Sequence, residues 1–97
     1  MIYLKINKTE QNEIIALCDS NLIGKSFSEK DLNLDVNERF YKGDVLDEDK
    51  IVKILMNARN INIVGEEAMR LAVKHNIVEK ENIIKIKNIP HSIIFEI

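Results

Sequence analysis

The sequence predicts an α+β fold, a mixed β-sheet with two main helices on one face, one βαβ unit and a hairpin at each terminus. Three observations point there. Ile2, Leu4 and Ile6, and later Ile93, Phe95 and Ile97, alternate with other residues at the two-residue period of a strand. Ile51, Ile54, Leu55 and Ala58 fall at i, i+3, i+4 and i+7, a single helical stripe. Ile61 to Val64 is an apolar run that stops at Gly65 and passes directly into a second helical pattern. With 97 residues, 45% of them hydrophobic and 31% charged, residues 1–97 are expected to form one domain with its own core.

The elements follow in order. Ile2, Leu4 and Ile6 define a half-buried strand, and Thr9 to Asn12 a short connection. Ile14 to Cys18 then reads as a more deeply buried strand that pairs back as a hairpin. Asp19, Ser20 and Asn21 carry side chains that bond nearby backbone, which predicts a turn. The segment from Leu22 to Phe27, interrupted by Gly24, is expected to be a loop or a short bulged strand. Leu32, Leu34 and Val36 alternate with polar residues as a one-sided strand. Asn37 to Tyr41 predicts one helical turn, closed by Lys42, Gly43 and Asp44.

Asp47 is placed to cap the next helix, whose start Glu48 and Asp49 complement electrostatically. Ile61, Ile63 and Val64 form a strand, and Ala68, Leu71, Ala72 and the stem of His75 form the inner face of the helix after Gly65. Asn76 suits a left-handed helix end. Ile83, Ile84 and Ile86 start another strand, Asn88 to His91 a turn, and Ile93 to Ile97 the last strand. The strands at Ile61 and Ile83 with the helix between them are expected to make a right-handed parallel βαβ unit.

Composition narrows the chemistry. A net charge of −2 gives no global field toward nucleic acid or an anionic membrane, although a local basic face is compatible with it. No stretch is long and apolar enough to span a bilayer, and the alternating start of the chain does not read as a signal peptide. The lone Cys18 excludes an internal disulfide and fits a reducing cytoplasm. Cys18, His75 and His91 lack the local spacing of structural metal sites, so neither metal nor cofactor is expected. Cys18 reads as a core residue, since the adjacent Asp19 would raise its pKa.

Strand-Gly-helix junctions often hold phosphate, but here Glu66 and Glu67 open the helix and would repel it. Neither GxGxxG nor GxxxxGK[ST] occurs. Lys85, Lys87 and His91, taken with Arg39, Phe40, Tyr41 and Lys42, combine cations with aromatics in a way that suits RNA backbone contact and base stacking.

Five blocks then carry a resemblance: Cys18-Asp19, Leu22 to Phe27, Phe40-Tyr41-Lys42-Gly43, Asn62 to Glu66, and Ile89-Pro90-His91. In order and spacing they resemble the archaeal domain-of-unknown-function family numbered 424, over essentially the whole chain. The resemblance implies an archaeal cytoplasmic protein and no particular reaction. Lys42 departs from it, because a small residue is expected there. Together with the residues above, it implies a candidate binding surface of Asp19, Lys25, Arg39, Phe40, Tyr41, Glu66, Lys85, Lys87 and His91.

The leading expectation is a non-catalytic binding module associated with RNA or the translation machinery. One alternative is a small enzyme with an acid/base cleft formed by Asp19, Lys25, Glu66 and His91. Another is a protein–protein adaptor or homodimer using an edge strand, either the C-terminal one or one in the N-terminal hairpin.

Overall fold

A computed structural model describes residues 1–96. Its main sheet has six strands. β1 (Ile2–Lys8) and β2 (Glu13–Asp19) form the expected N-terminal hairpin, pairing antiparallel along their whole length. β3 (Ser26–Glu29) and β4 (Leu32–Asp35) form a separate two-stranded hairpin. α1 (Glu38–Tyr41) is the single turn anticipated, capped by the side chain of Asn37, and β5 (Asp44–Val45) follows. α2 (Glu48–Met56) leads to β6 (Asn60–Val64), which runs straight into α3 (Glu66–Lys74). β7 (Ile84–Ile86) and β8 (Ile89–Phe95) make the C-terminal hairpin. The sheet order is β5-β1-β2-β6-β8-β7.

Local signals account for many boundaries. Asp47 accepts a hydrogen bond from the Lys50 amide at 2.9 Å and so caps α2 as its position predicted. Asn76 has φ +59 just past α3, the left-handed end that asparagine tolerates. Gly43 is needed where the chain crosses β1, because a side chain there would overlap the Leu4 carbonyl. Lys42 is exposed with φ −80, so a long side chain is accommodated at this departure from the family pattern.

The βαβ unit is present in split form. β6 and β7 both run antiparallel to β8, which lies between them, so they are parallel to each other without touching. The parallel pair that does hydrogen-bond is β2 with β6, joining the two halves of the chain. The turn expected at Asn88 to His91 is displaced. Lys87 and Asn88 both take positive φ, +51 and +65, forming a two-residue hairpin turn, and His91 lies inside β8. Pro90 is tolerated in that strand because it faces the end of β6. Its carbonyl accepts from the Gly65 amide, while the Gly65 carbonyl accepts from Met69 and starts α3, so no proline N–H is missed. The segment Leu22 to Phe27, left open between a loop and a strand, is turn and loop as far as Lys25, and its last two residues begin β3, which pairs with β4.

Both faces of the central strands are covered. Leu4, Ile15, Leu17, Ile61 and Ile63 pack under Ile51 and Leu55 of α2 and Ala68, Leu71 and Ala72 of α3. On the opposite face Ala16, Cys18 and Val64 pack under Leu34, Val36 and Tyr41. The two main helices therefore share one face, and α1 with the β3–β4 hairpin covers part of the other. Beyond that cover, Ile93 and Phe95 of β8 stand exposed. No helix among the described residues is long and apolar enough to cross a membrane.

Candidate functional site

Asp19 ends β2 directly beside β6, since Cys18 pairs with Val64. Its carboxylate therefore reaches the start of α3. Oδ2 accepts from the Glu67 amide at 3.0 Å and Oδ1 from the Ala68 amide at 2.8 Å. This anion satisfies two of the free amides at the helix start and opposes the positive end of the helix dipole. Gly65 makes room for it. Its φ of +109 is reserved for glycine, and a Cβ there would overlap the Asp19 carboxyl group. The phosphate-binding geometry is thus occupied by the protein's own carboxylate. Burial pushes the Asp19 carboxyl above its usual range, and the Ala68 and Glu67 amides pull it back in part.

One row of side chains away, Asn62 gathers two of the residues expected from sequence. Its Oδ1 accepts from the Tyr41 hydroxyl at 2.9 Å and lies 3.2 Å from His91 Nε2. With that oxygen as acceptor, Nε2 is the protonated nitrogen of the ring. Burial holds His91 below the usual histidine pKa and pushes the Tyr41 hydroxyl up to about 12. Phe40 meets Tyr41 edge to face at 4.8 Å between ring centres. Tyr41, the last residue of α1, is itself buried against the sheet, so it cannot stack on an outside base.

A larger feature lies on the helical face. α3 and the C-terminal hairpin leave an open groove of about 590 Å³ between them. Met69, Val73, Ile83 and Pro90 make its apolar floor. Arg70 and Lys74, spaced i,i+4 on α3, stand on one bank, with Lys80 and Lys85 on the other. Glu66 lines the end of the groove nearest the helix start. Among the described residues, Lys74 is the only one of these four cations with an ion-pair partner, Glu48 at 3.0 Å.

The nine residues expected to form one surface take separate positions. Asp19 is an internal cap, and Tyr41 and His91 meet at Asn62, with Phe40 alongside Tyr41. Glu66 and Lys85 share the α3 groove. Lys25, Arg39 and Lys87 are exposed elsewhere, and the Lys87 amide donates to Glu29 at 2.7 Å. For the acid/base alternative, Glu66 lines the groove and His91 lines a small cavity beside Asn82 and Ile84, so these two residues lie in different cavities. Cys18 is fully buried and its thiol donates to the Asp19 carbonyl, with burial pushing its pKa up to about 12. Among the described residues no three His, Cys, Asp or Glu side chains gather as a metal would require. The sequence reading does not single out Arg70, Lys74, Lys80 or Asn60, and it includes Asn62 only as the first residue of a family block. The Arg70–Lys74 pair beside Met69 and Val73 was readable as a helix edge. The approach of Lys80 and Lys85 depends on the tertiary fold.

Comparison with known proteins places this geometry in a family. A family model described as "Protein of unknown function (DUF424)" matches residues 6–97. None of the curated proteins matches the chain. The chain is similar to the crystal structure of an uncharacterized conserved protein from Methanopyrus kandleri. The two share 26% identity and a TM-score of 0.77, over 99% of this chain and 93% of that one.

Proposed function

The chain belongs to the DUF424 family of proteins of unknown function, and from that premise we propose that it is a non-catalytic binding module that holds single-stranded RNA in the α3 groove. The observation that carries the reading is the pairing of cations on both banks, Arg70 and Lys74 against Lys80 and Lys85, over an apolar floor. Phosphates suit the banks, and the floor suits an unpaired base or sugar, which a duplex would keep hidden. A chain with net charge −2 concentrates this basic strip locally, so binding is directed to one place.

Association with the translation machinery, in the cytoplasm, is the finer part of the proposal. Capture of translation proteins or RNA from archaeal extract at low salt tests that part. For the groove itself, anisotropy of a labelled single-stranded RNA is measured across salt concentration. Each phosphate contact contributes a slope of about −0.7 in log K against log salt, so four cations give roughly −3. No binding at about 50 mM salt removes the proposal.

A second reading is favoured by one observation. β5 pairs only with Tyr3 and Leu4, which leaves the outer side of β1 from Lys5 to Lys8 beyond its reach. That edge suits an adaptor or homodimer contact by strand addition. The C-terminal strand offers a comparable edge, because among the described residues β7 pairs only with Ile89 to His91 and leaves the outer side of β8 from Ser92 to Phe95 beyond its reach. Light scattering at high concentration that shows only monomer removes the homodimer form.

A further inference from the structure

Among the described residues that line the α3 groove, Glu66 is the one carboxylate beside four cations. It is the first residue of α3, with Met69, Arg70 and Val73 at i+3, i+4 and i+7 on the same helix face. Its neighbours already fill the structural roles at this helix start. Asp19 caps the Glu67 and Ala68 amides, and the Glu67 carboxylate pairs with the Met1 ammonium at 2.7 Å. Glu66 itself is exposed and has no ion-pair partner among the described residues. A bare carboxylate repels phosphate, so in a groove that attracts phosphate it suits a part of the ligand that donates hydrogen bonds.

We infer that Glu66 selects guanine in the bound strand, the base lying over the apolar floor with its N1–H and N2 amino group donating to the two carboxylate oxygens. The inference rests on the reading of this groove as an RNA site. An ionised carboxylate only accepts, and it can accept two parallel hydrogen bonds at once. Guanine presents two such donors side by side on its Watson–Crick edge. Adenine and cytosine each set an amino group beside an accepting ring nitrogen, and uracil flanks its N–H with two carbonyls. Each of these three therefore brings an acceptor against the carboxylate. The edge is free to be read only where the strand is unpaired. Length agrees as well. α3 rises about 12 Å from Glu66 to Lys74, room for a base at the Glu66 end and its phosphates among the cations.

The test compares labelled uridine heptamers whose central position holds guanine, inosine, adenine, cytosine or uridine, by anisotropy at about 50 mM salt. The guanine strand is expected to bind about tenfold tighter than the all-uridine strand, within the range of one bidentate base contact. Inosine keeps N1–H and lacks the N2 amino group, so it falls between the two. Glu66→Gln replaces one accepting oxygen with a donating amide and brings the guanine-to-uridine ratio close to one. Lys25→Glu, outside the groove, keeps the ratio near the native value. A native protein that binds every strand equally overturns the inference and leaves the groove reading standing. So does a guanine preference that survives in Glu66→Gln, or a stronger preference for cytosine. Binding to none of the strands overturns the groove reading, and this inference with it.

Discussion

The Asp19 carboxylate and Gly65 occupy the same small volume by mutual exclusion, for a Cβ on Gly65 would overlap the carboxyl group that caps α3. That relationship joins the end of β2 to the junction of β6 with α3. It also fixes the meaning of the strand-Gly-helix signal. The glycine serves an anion, but the anion is internal.

Gly65→Ala is therefore expected to cost about 2–4 kcal/mol of stability, because it adds backbone strain at a glycine-only conformation to the loss of the cap. Asp19→Ala leaves two helix-start amides without their acceptor and is expected to cost about 1–2 kcal/mol. The double variant should lose less than the sum, since both changes remove one arrangement. Urea unfolding of the three variants measures this. Strict additivity would show that the two residues act separately.

His91 predicts how stability responds to acid. Its pKa is lowered in the folded state by burial, so the unfolded chain takes up the proton first as pH falls. Its contribution is intact above the unfolded value near 6.5 and is lost as pH drops through the folded value. Denaturation midpoints between pH 7.5 and pH 5, a range set about the ordinary histidine pKa, should fall for the native protein and fall less for His91→Gln. An identical decline in both would remove His91 as its source.

Tyr41→Phe removes the hydroxyl that donates to Asn62 while keeping the buried ring. A loss of about 1 kcal/mol is expected, the ordinary net value of one such hydrogen bond. Because His91 also faces Asn62 Oδ1, the variant should shift the His91 imidazole resonances in NMR. Unchanged resonances would mean that the two contacts are not coupled through Asn62.

Cys18 should behave as a core residue. Buried completely, with a thiol pKa near 12, it is expected to resist iodoacetamide at pH 7.5 in the native protein and to react fully in denaturant. Mass spectrometry reads the difference. Rapid native alkylation would contradict the packing described for β2.

Sequence carried the local features well, because their causes are local. The Asp47 cap, the Asn76 helix end, the alternation of β1 and the stripe of α2 each depend on residues within a turn or two. Asp19 shows the limit. Its neighbours Ser20 and Asn21 read as turn chemistry, while its acceptors serve amides 48 and 49 residues away. β8 entering between β6 and β7 is likewise a tertiary choice, and it converts the expected βαβ unit into a split one. The sequence places His91 in a turn with Asn88, Ile89 and Pro90, whereas Pro90 fits inside β8 because the Gly65 carbonyl already has its donor in Met69. Of the candidate surface, only Glu66 and Lys85 fall in the α3 groove. Its other cations come from positions whose meaning depends on how α3 and β7 approach each other.

The central claim is that the α3 groove binds single-stranded RNA through its cations. The direct measurement compares Lys80→Glu/Lys85→Glu with Lys25→Glu/Arg39→Glu, an equal charge change outside the groove, in RNA anisotropy at fixed salt. The account predicts that the groove variant loses about tenfold or more in affinity and has a shallower salt slope, with the control much closer to the native protein. Equal losses in the two variants, or binding untouched by the groove variant, would contradict it.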